Sequence, residues 1–137
     1  MKKVAVICGG GSTSEREVSL KSGDAVFKAL QSKCDVEKFV LTEDKVPEEI
    51  VAEKYVVFPM ILGEWGEDGG LQKVLEERKI SFVGSGSEAS ALGMNKYATE
   101  QLAEKVGIRT AKGFVWNGET YQKIVEKCGT EIIIKQN

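Results

Sequence analysis

Apolar positions fall along this chain in two alternating rhythms. Val4-Ala5-Val6-Ile7-Cys8 is a continuous apolar run, which predicts a parallel strand covered on both faces. Gly9-Gly10-Gly11-Ser12 breaks that run. Ser14 then predicts a helix start, with Glu17 completing a capping box, and Val18, Ala25, Val26, Ala29 and Leu30 recur at helical spacing. Asp35 to Leu41 predicts a second strand. Thr42 to Ala52 is polar, with room for a short helix after Pro47. A third strand is centred on Tyr55-Val56-Val57-Phe58. After a glycine- and acid-rich loop from Gly63 to Gly70, Leu71, Val74 and Leu75 mark another helix. Ile80 to Val83 predicts a short fourth strand closed by Gly84-Ser85-Gly86, and Ser87 caps a small helix through Leu92. This strand–helix alternation predicts an α/β fold, a parallel sheet of Rossmann-like or flavodoxin-like kind.

The pattern changes after Met94. Lys96 to Val106 reads as a helix closed by Gly107. Gly113 to Trp116 predicts a strand, Thr120 to Cys128 a helix ending at Gly129, and Glu131 to Lys135 a last strand before Gln136 and Asn137. A strand carrying Ile132, Ile133 and Ile134 needs more sheet around it than these residues provide. The expected organisation is a first domain at residues 1–94 and the beginning of a second, incomplete one at 95–137.

Composition narrows the chemistry more than the fold. The 137 residues are 42% hydrophobic and 29% charged, with a formal net charge of −2, an ordinary balance for a globular chain. No basic field exists to attract nucleic acid or an anionic membrane, and no apolar run approaches the roughly 18 residues of a membrane span. Three cysteines, Cys8, Cys34 and Cys128, stand far apart, and there is no histidine. Zinc therefore has almost no ligands, and a Ser-His-Asp or Cys-His mechanism is excluded. The cysteines read as small hydrophobes of a cytoplasmic protein.

Three stretches carry candidate chemistry. The first runs from Gly9 to Gly23. Its glycines let a ligand approach the backbone, and a helix N-terminus follows with free N–H groups. It has neither the Gly-x-Gly-x-x-Gly spacing of a dinucleotide site nor the Gly-Lys-Ser/Thr of a phosphate loop. Read functionally, Glu15 is a carboxylate able to pair with a substrate ammonium; read structurally, the stretch is a tight turn and a helix cap. The second stretch, Leu62 to Gln72, follows the third strand on the same sheet edge, where open α/β sheets bind ligands; its Glu67 and Asp68 also suit a helix start. The third runs from Gly84 to Lys96, and its lysine is either a phosphate contact or an ordinary solvated side chain.

Together these stretches resemble the D-alanine–D-alanine ligase family of the ATP-grasp superfamily. Gly10 to Gly23 fits the family's Gly-Gly-x-Ser-x-Glu-Arg-Glu-Val-Ser-Leu-x-Ser-Gly pattern. Leu62 to Gln72 fits its His-Gly-x-x-Gly-Glu-Asp-Gly segment except at the first position. Ala89-Ser90-Ala91 to Met94-Asn95-Lys96 is similar to the small residues leading to Met-Asp-Lys, Gly107-Ile108-Arg109-Thr110 to Gly-Ile-Pro-Thr, and Ile132-Ile133-Ile134-Lys135 to a strand ending in Lys-Pro. The resemblance implies a pre-ATP-grasp domain followed by the truncated start of an ATP-grasp domain. It implies ATP-dependent joining of two D-alanines with Mg2+ or Mn2+, through an acyl phosphate, for peptidoglycan precursor synthesis in the cytoplasm. It implies substrate binding at Glu15, Ser19 and Leu62, with Glu15 on the first alanine's amino group, and ATP phosphates at Lys96 and Lys135. It further implies a homodimer through the N-terminal domain.

Two residues depart from the pattern. Leu62 stands where family members often have histidine and cannot hydrogen-bond, and Asn95 replaces the usual aspartate while keeping a helix cap. The family's phosphate loop, metal carboxylates, catalytic arginine and second-substrate site all follow the lysine strand. The chain by itself is therefore expected to be inactive, and no metal ligand is expected in it. Two other functions suit the residues: a stand-alone flavodoxin-like module that binds a small molecule without catalysis, and an ATP-grasp ligase for another amino acid.

Overall fold

The structure, a computed structural model, describes residues 1–11 and 14–135. Ser12 of the glycine loop and the terminal Gln136 and Asn137 lie outside the described residues. The chain divides into two compact units, Met1–Ala91 and Leu92–Asn137.

The first unit is built on a parallel sheet of three strands in the order β2-β1-β3, with β1 at Lys3–Gly9, β2 at Val36–Leu41 and β3 at Tyr55–Pro59. Central β1 pairs with Val36–Leu41 on one side and Tyr55–Pro59 on the other, so its apolar run is buried on both faces, as predicted. Ala5 and Ile7 face a cluster with Leu41, Val46, Ile50, Tyr55, Val57, Ile61, Leu71, Leu75 and Ile80. Each such aliphatic side chain contributes about 1.5–3 kcal/mol when fully buried. On the opposite face, α1 (Arg16–Leu30) lies against Cys8. A Cβ on Gly23 would stand 2.5 Å from that of Cys8, so the helix packs backbone-close and only glycine fits.

That close approach corrects the predicted helix face. Ser19 and Gly23 are buried, with Val26 and Leu30 partly so, whereas Val18, Ala25 and Ala29 are exposed. The buried stripe runs one residue round from the expected one, because the smallest side chains, not the most apolar, permit the contact. The helix start also differs. Glu15, not Ser14, takes the cap position, and its side chain makes no cap bond.

The predicted fourth strand is a single bridge, Phe82 to Val57, framed by Val57 N–H on Ser81 O at 2.8 Å and Val83 N–H on Val57 O at 3.0 Å. Gly84, at φ +125°, ends it. No helix follows Pro47. The chain makes one turn, closed by Ile50 N–H on Pro47 O at 3.2 Å, and Arg78 donates to the carbonyls of Val46, Pro47, Glu48 and Ile50. Arg78 follows α2 (Gly70–Glu77) directly. At α3 (Ser87–Met94) the cap is borrowed: the Glu76 carboxylate accepts from Ser87 N–H at 2.9 Å and from Ser87 Oγ at 2.5 Å. Those bonds, the hydroxyl's first, hold the Glu76 carboxyl below its usual range.

In the second unit α4 spans Lys96–Lys105, with Asn95 Oδ1 accepting from Ala98 N–H at 2.8 Å. Gly107, at φ +82°, closes it as predicted. Helix α5 spans Tyr121–Cys128. The two strands predicted at Gly113–Trp116 and Glu131–Lys135 do not form. A strand needs a partner for its N–H and C=O groups, and among the described residues neither segment joins a ladder. Ile133 and Ile134 are 84% and 89% exposed. No described residue from 92 to 135 is buried.

Two predictions follow from this contrast in burial and from the charges at the sheet. Short helices without a core are marginal in water. Amides of α4 and α5 are expected to exchange about a hundredfold faster or more than those of β1 and β3; equal protection in a chain shown to be monomeric would contradict this. At the sheet's amino end, Lys3 donates to Glu37 at 2.7 Å and Tyr55 donates to the same carboxylate. These bonds, Lys3 first, hold Glu37 below its ordinary 4.5, and Lys38 does the same for Asp24 below 3.8. Lowered carboxyls contribute stability that is present at neutral pH and lost as pH falls through their folded values. The urea midpoint is therefore expected to drop below pH 4.5, with a shallower drop in Glu37→Gln; identical pH profiles would remove Glu37 from the account.

Candidate functional site

The carboxyl ends of β1 and β3 carry the loops that the sequence singled out. The loop after β1 enters the left-handed region at Gly9 (φ +89°) and Gly10 (φ +88°), where glycine has no steric penalty. The N–H groups of Gly9, Gly10 and Gly11 each have a protein acceptor. Gly9 donates to Ser19 Oγ at 2.8 Å, Gly10 to Leu41 O at 3.1 Å, and Gly11 to Asp44 Oδ1 at 2.8 Å. Arg16 ties the same loop to β2, its Nε donating to Gly10 O and its Nη2 to Leu41 O, both at 3.2 Å. The glycine amides are thus committed within the protein, and a carboxylate stands on the last of them. These three amides do not form a phosphate cradle.

Ser19 is fully buried. Its Oγ accepts from Gly9 and donates to Met60 O at 2.5 Å, clasping the ends of β1 and β3 from within α1. Both interactions run to the protein's own backbone, so what Ser19 does here is hold the two loops together.

Glu15 is exposed at the start of α1. A Cβ built on Gly63 would lie 2.5 Å from Glu15 Oε2. The carboxylate therefore rests on the bare Cα of Gly63, beside half-buried Leu62. Glycine at 63 is required twice, by that contact and by φ +77°.

The acidic residues of the second loop shape it. Glu67 Oε2 accepts from Gly63 N–H at 2.8 Å, while Glu67 N–H returns to Gly63 O at 2.9 Å. Asp68 accepts from Trp65 N–H at 3.0 Å and from Gly70 N–H, the first residue of α2, at 2.9 Å. Asp68 thus serves the helix start, as one reading predicted, and Glu67 fixes Gly63. Trp65 is held at φ +62°, an outlier for so bulky a residue, by Leu71 N–H on its carbonyl at 2.7 Å. Gln72 Nε2 donates to Gly66 O at 2.8 Å while its buried Oε1 has no partner among the described residues.

The structure thus brings Glu15, Ser19 and the Leu62–Gly63 pair to one edge of the sheet. Lys96, in the first turn of α4, and Lys135 are exposed and belong to the other unit. Sequence reasoning missed Asp44 and gave Arg16 no role; Asp44 lies in the polar stretch after β2, with no local signal to separate it from Glu43 or Glu48. Two shallow surface cavities, of about 260 Å³ beside Val40–Glu48 and about 350 Å³ beside Glu76 and Gly86–Ala89, are lined by none of Glu15, Ser19 or Leu62. Among the described residues, no three of His, Cys, Asp and Glu gather as a metal-binding group, and no helix is long and apolar enough to cross a membrane.

Comparison with known proteins places this edge in context. The chain is 37% identical over 136 residues to a D-alanine–D-alanine ligase of Neisseria meningitidis serogroup C, covering 97% of this chain and 44% of that protein. It is 42% identical over 135 residues to one from a Psychrobacter species, covering 97% and 40%. By sequence this chain is similar to a part of these D-alanine–D-alanine ligases. It spans less than half the length of these curated relatives. No family model matches it. Among solved structures, the D-alanine–D-alanine ligase from Aeromonas hydrophila matches with a TM-score of 0.70 at 29% identity, covering 85% of this chain and 50% of that one. The Coxiella burnetii ligase matches with a TM-score of 0.77 at 23% identity over 95% and 51%, a likeness of fold. The α/β fold with a parallel sheet matches these ligase structures over about half of their length.

The Ser19 clasp yields a stability prediction. Ser19→Ala leaves Gly9 N–H and Met60 O without their partner in a buried setting, at a cost of about 1–3 kcal/mol. Thermal or urea unfolding measures it. A loss below a few tenths of a kcal/mol would mean that solvent or another group replaces the hydroxyl.

Proposed function

We propose that this chain is the N-terminal portion of an ATP-dependent D-alanine–D-alanine ligase. In that reading residues 1–94 form the pre-ATP-grasp domain and residues 95–137 begin the ATP-grasp domain. The observation that carries it is the Glu15 carboxylate seated on Gly63 at the carboxyl edge of the sheet. A carboxylate fixed there, beside an apolar side chain at 62, suits an amino acid presented by its ammonium. The homology over 97% of the chain supports the same reading.

Glu15 then pairs with the first D-alanine, and Ser19 acts behind it by holding the β1 and β3 loops in register. Lys96 and Lys135 neutralise ATP phosphates. Leu62 offers packing but no hydrogen bond, so the substrate's polar groups are met by other residues. Magnesium, or manganese, has no ligand set among the described residues. The chain alone is proposed to be inactive. The complete protein is proposed to act in the cytoplasm on D-alanine and ATP for cell-wall precursor synthesis, as a homodimer through its N-terminal domain, without nucleic-acid or membrane partners.

Glu15→Gln in a protein carrying this chain together with the remaining ligase domains provides the test. Losing an ammonium–carboxylate contact in a desolvated site costs about 2 kcal/mol or more, roughly thirtyfold in kcat/KM for the first D-alanine. The melting temperature is expected to move little, since Glu15 is exposed and forms no cap bond. Unchanged kinetics with a lowered melting temperature would reduce Glu15 to a helix-start residue.

A further inference from the structure

We propose that Gln72 is a positioning residue for the loop after β3: its side chain orients the Gly66–Glu67 peptide, and that peptide holds Gly63, with Leu62 before it, at the sheet edge. That these two residues face an amino-acid substrate rests on the ligase reading above; the orientation of the peptide does not.

Gln72 lies in the first turn of α2, a helix seated in the core by its fully buried Leu71 and Leu75. Gln72 itself is only 7% exposed. Its Nε2 donates to Gly66 O at 2.8 Å. The N–H of the same peptide group, that of Glu67, donates to Gly63 O at 2.9 Å. In a planar trans peptide the C=O and the N–H point in opposite directions. A donor that fixes the oxygen therefore also aims the N–H, and the bond at Gly66 sets the bond at Gly63. Glu67 adds a second tie from the same place, its Oε2 accepting from Gly63 N–H at 2.8 Å.

The loop needs this hold. Gly63 and Trp65 both have positive φ, +77° and +62°, and a tryptophan in that region persists only where its surroundings impose it. Gly66, with no side chain, gives the peptide after it little resistance to turning over. Its position matters beyond this loop. A Cβ on Gly66 would lie 2.4 Å from Ile61 O and 2.7 Å from Ile61 Cγ2, and the same Cγ2 would lie 3.1 Å from a Cβ on Gly10. Both edge loops thus rest on one isoleucine. Volume filling does not explain glutamine at 72. Its Oε1 is buried with no partner among the described residues, a cost that an apolar side chain of similar length avoids. What a hydrocarbon cannot supply is the donor to Gly66.

Hydrogen exchange in the 137-residue chain tests the peptide's orientation with no ligand needed. In the parent, the Gln72 side-chain amide is expected to exchange about tenfold more slowly, or slower still, than those of exposed Gln31 and Gln101. Equal rates would overturn the bond to Gly66, and this measurement needs no variant. Gln72→Met then keeps the length and removes the donor. The Glu67 amide is expected to lose about tenfold more protection than the amides of β1. Equal losses at Glu67 and β1, or unfolding of the variant, would make Gln72 a general core residue and overturn the positioning role. The substrate-facing half is read in the protein used for Glu15→Gln. There Gln72→Met is expected to raise KM for the first D-alanine about tenfold and to leave KM for ATP within about twofold. An equal rise in both constants, or an unchanged KM for D-alanine, would overturn the placement of Leu62 and Gly63 against substrate. If Glu15→Gln is also without effect on kinetics, the ligase reading fails with it, and the exchange result alone decides whether Gln72 orients the peptide.

Discussion

A buried hydroxyl ties the first unit together. Ser19 Oγ sits inside α1 and bonds the backbone at the ends of both β1 and β3. Burying a hydroxyl without partners costs several kcal/mol in an apolar setting, so the three elements must stay in register to satisfy it. The two loops that follow those strands inherit this register. Glu15 lies one helical turn before Ser19 on the same helix, with Ser19 N–H bonded to Glu15 O at 2.9 Å. Gly63 lies just past Met60. The meeting of the Glu15 carboxylate with Gly63 is thus set by a bond that neither residue makes.

The sheet was legible because its central strand is buried on both faces and advertises this with five consecutive apolar residues, Val4 to Cys8. Ends and short elements were less so. Ile80–Val83 has strand composition, yet Gly84 leaves room for one bridge. The turn after Pro47 reads as a possible helix until Arg78, far along the chain, claims its carbonyls. The face of α1 was misjudged because apolar periodicity ranks valine and alanine above serine and glycine, while packing at this strand selects for smallness. Gly113–Trp116 and Glu131–Lys135 have the composition of strands but no partner among the described residues, and composition cannot supply one.

The site was partly legible. Glu15 and the Leu62–Gly63 pair stand in motifs whose order along the chain already placed them at one sheet edge. Ser19 was recognised by its place in a motif, and its role in clasping two backbones is visible only in three dimensions. Asp44 has no motif around it. Its importance comes from reaching an amide in a loop 33 residues away, a relation that no local pattern encodes. Glu67 and Asp68 looked equally like ligands and like turn-formers, and their bonds to Gly63, Trp65 and Gly70 account for both carboxylates within the loop.

The contact between Gly23 and Cys8 constrains how this unit can change. Their Cβ positions, real at Cys8 and imagined at Gly23, are separated by 2.5 Å, less than any two such atoms tolerate. Positions 8 and 23 therefore share one volume. A larger residue on the strand, or any side chain on the helix, must lift α1 away and with it the helix start that presents Glu15. Burial also pushes the Cys8 thiol up from its ordinary range, so the sulfur is held as a neutral, unreactive filler. Another small residue in place of cysteine on the strand would keep the helix seated, whereas the helix position accepts no side chain. Drift at these two sites is coupled, and the coupling reaches the ligand-facing edge through the rigid body of a single helix.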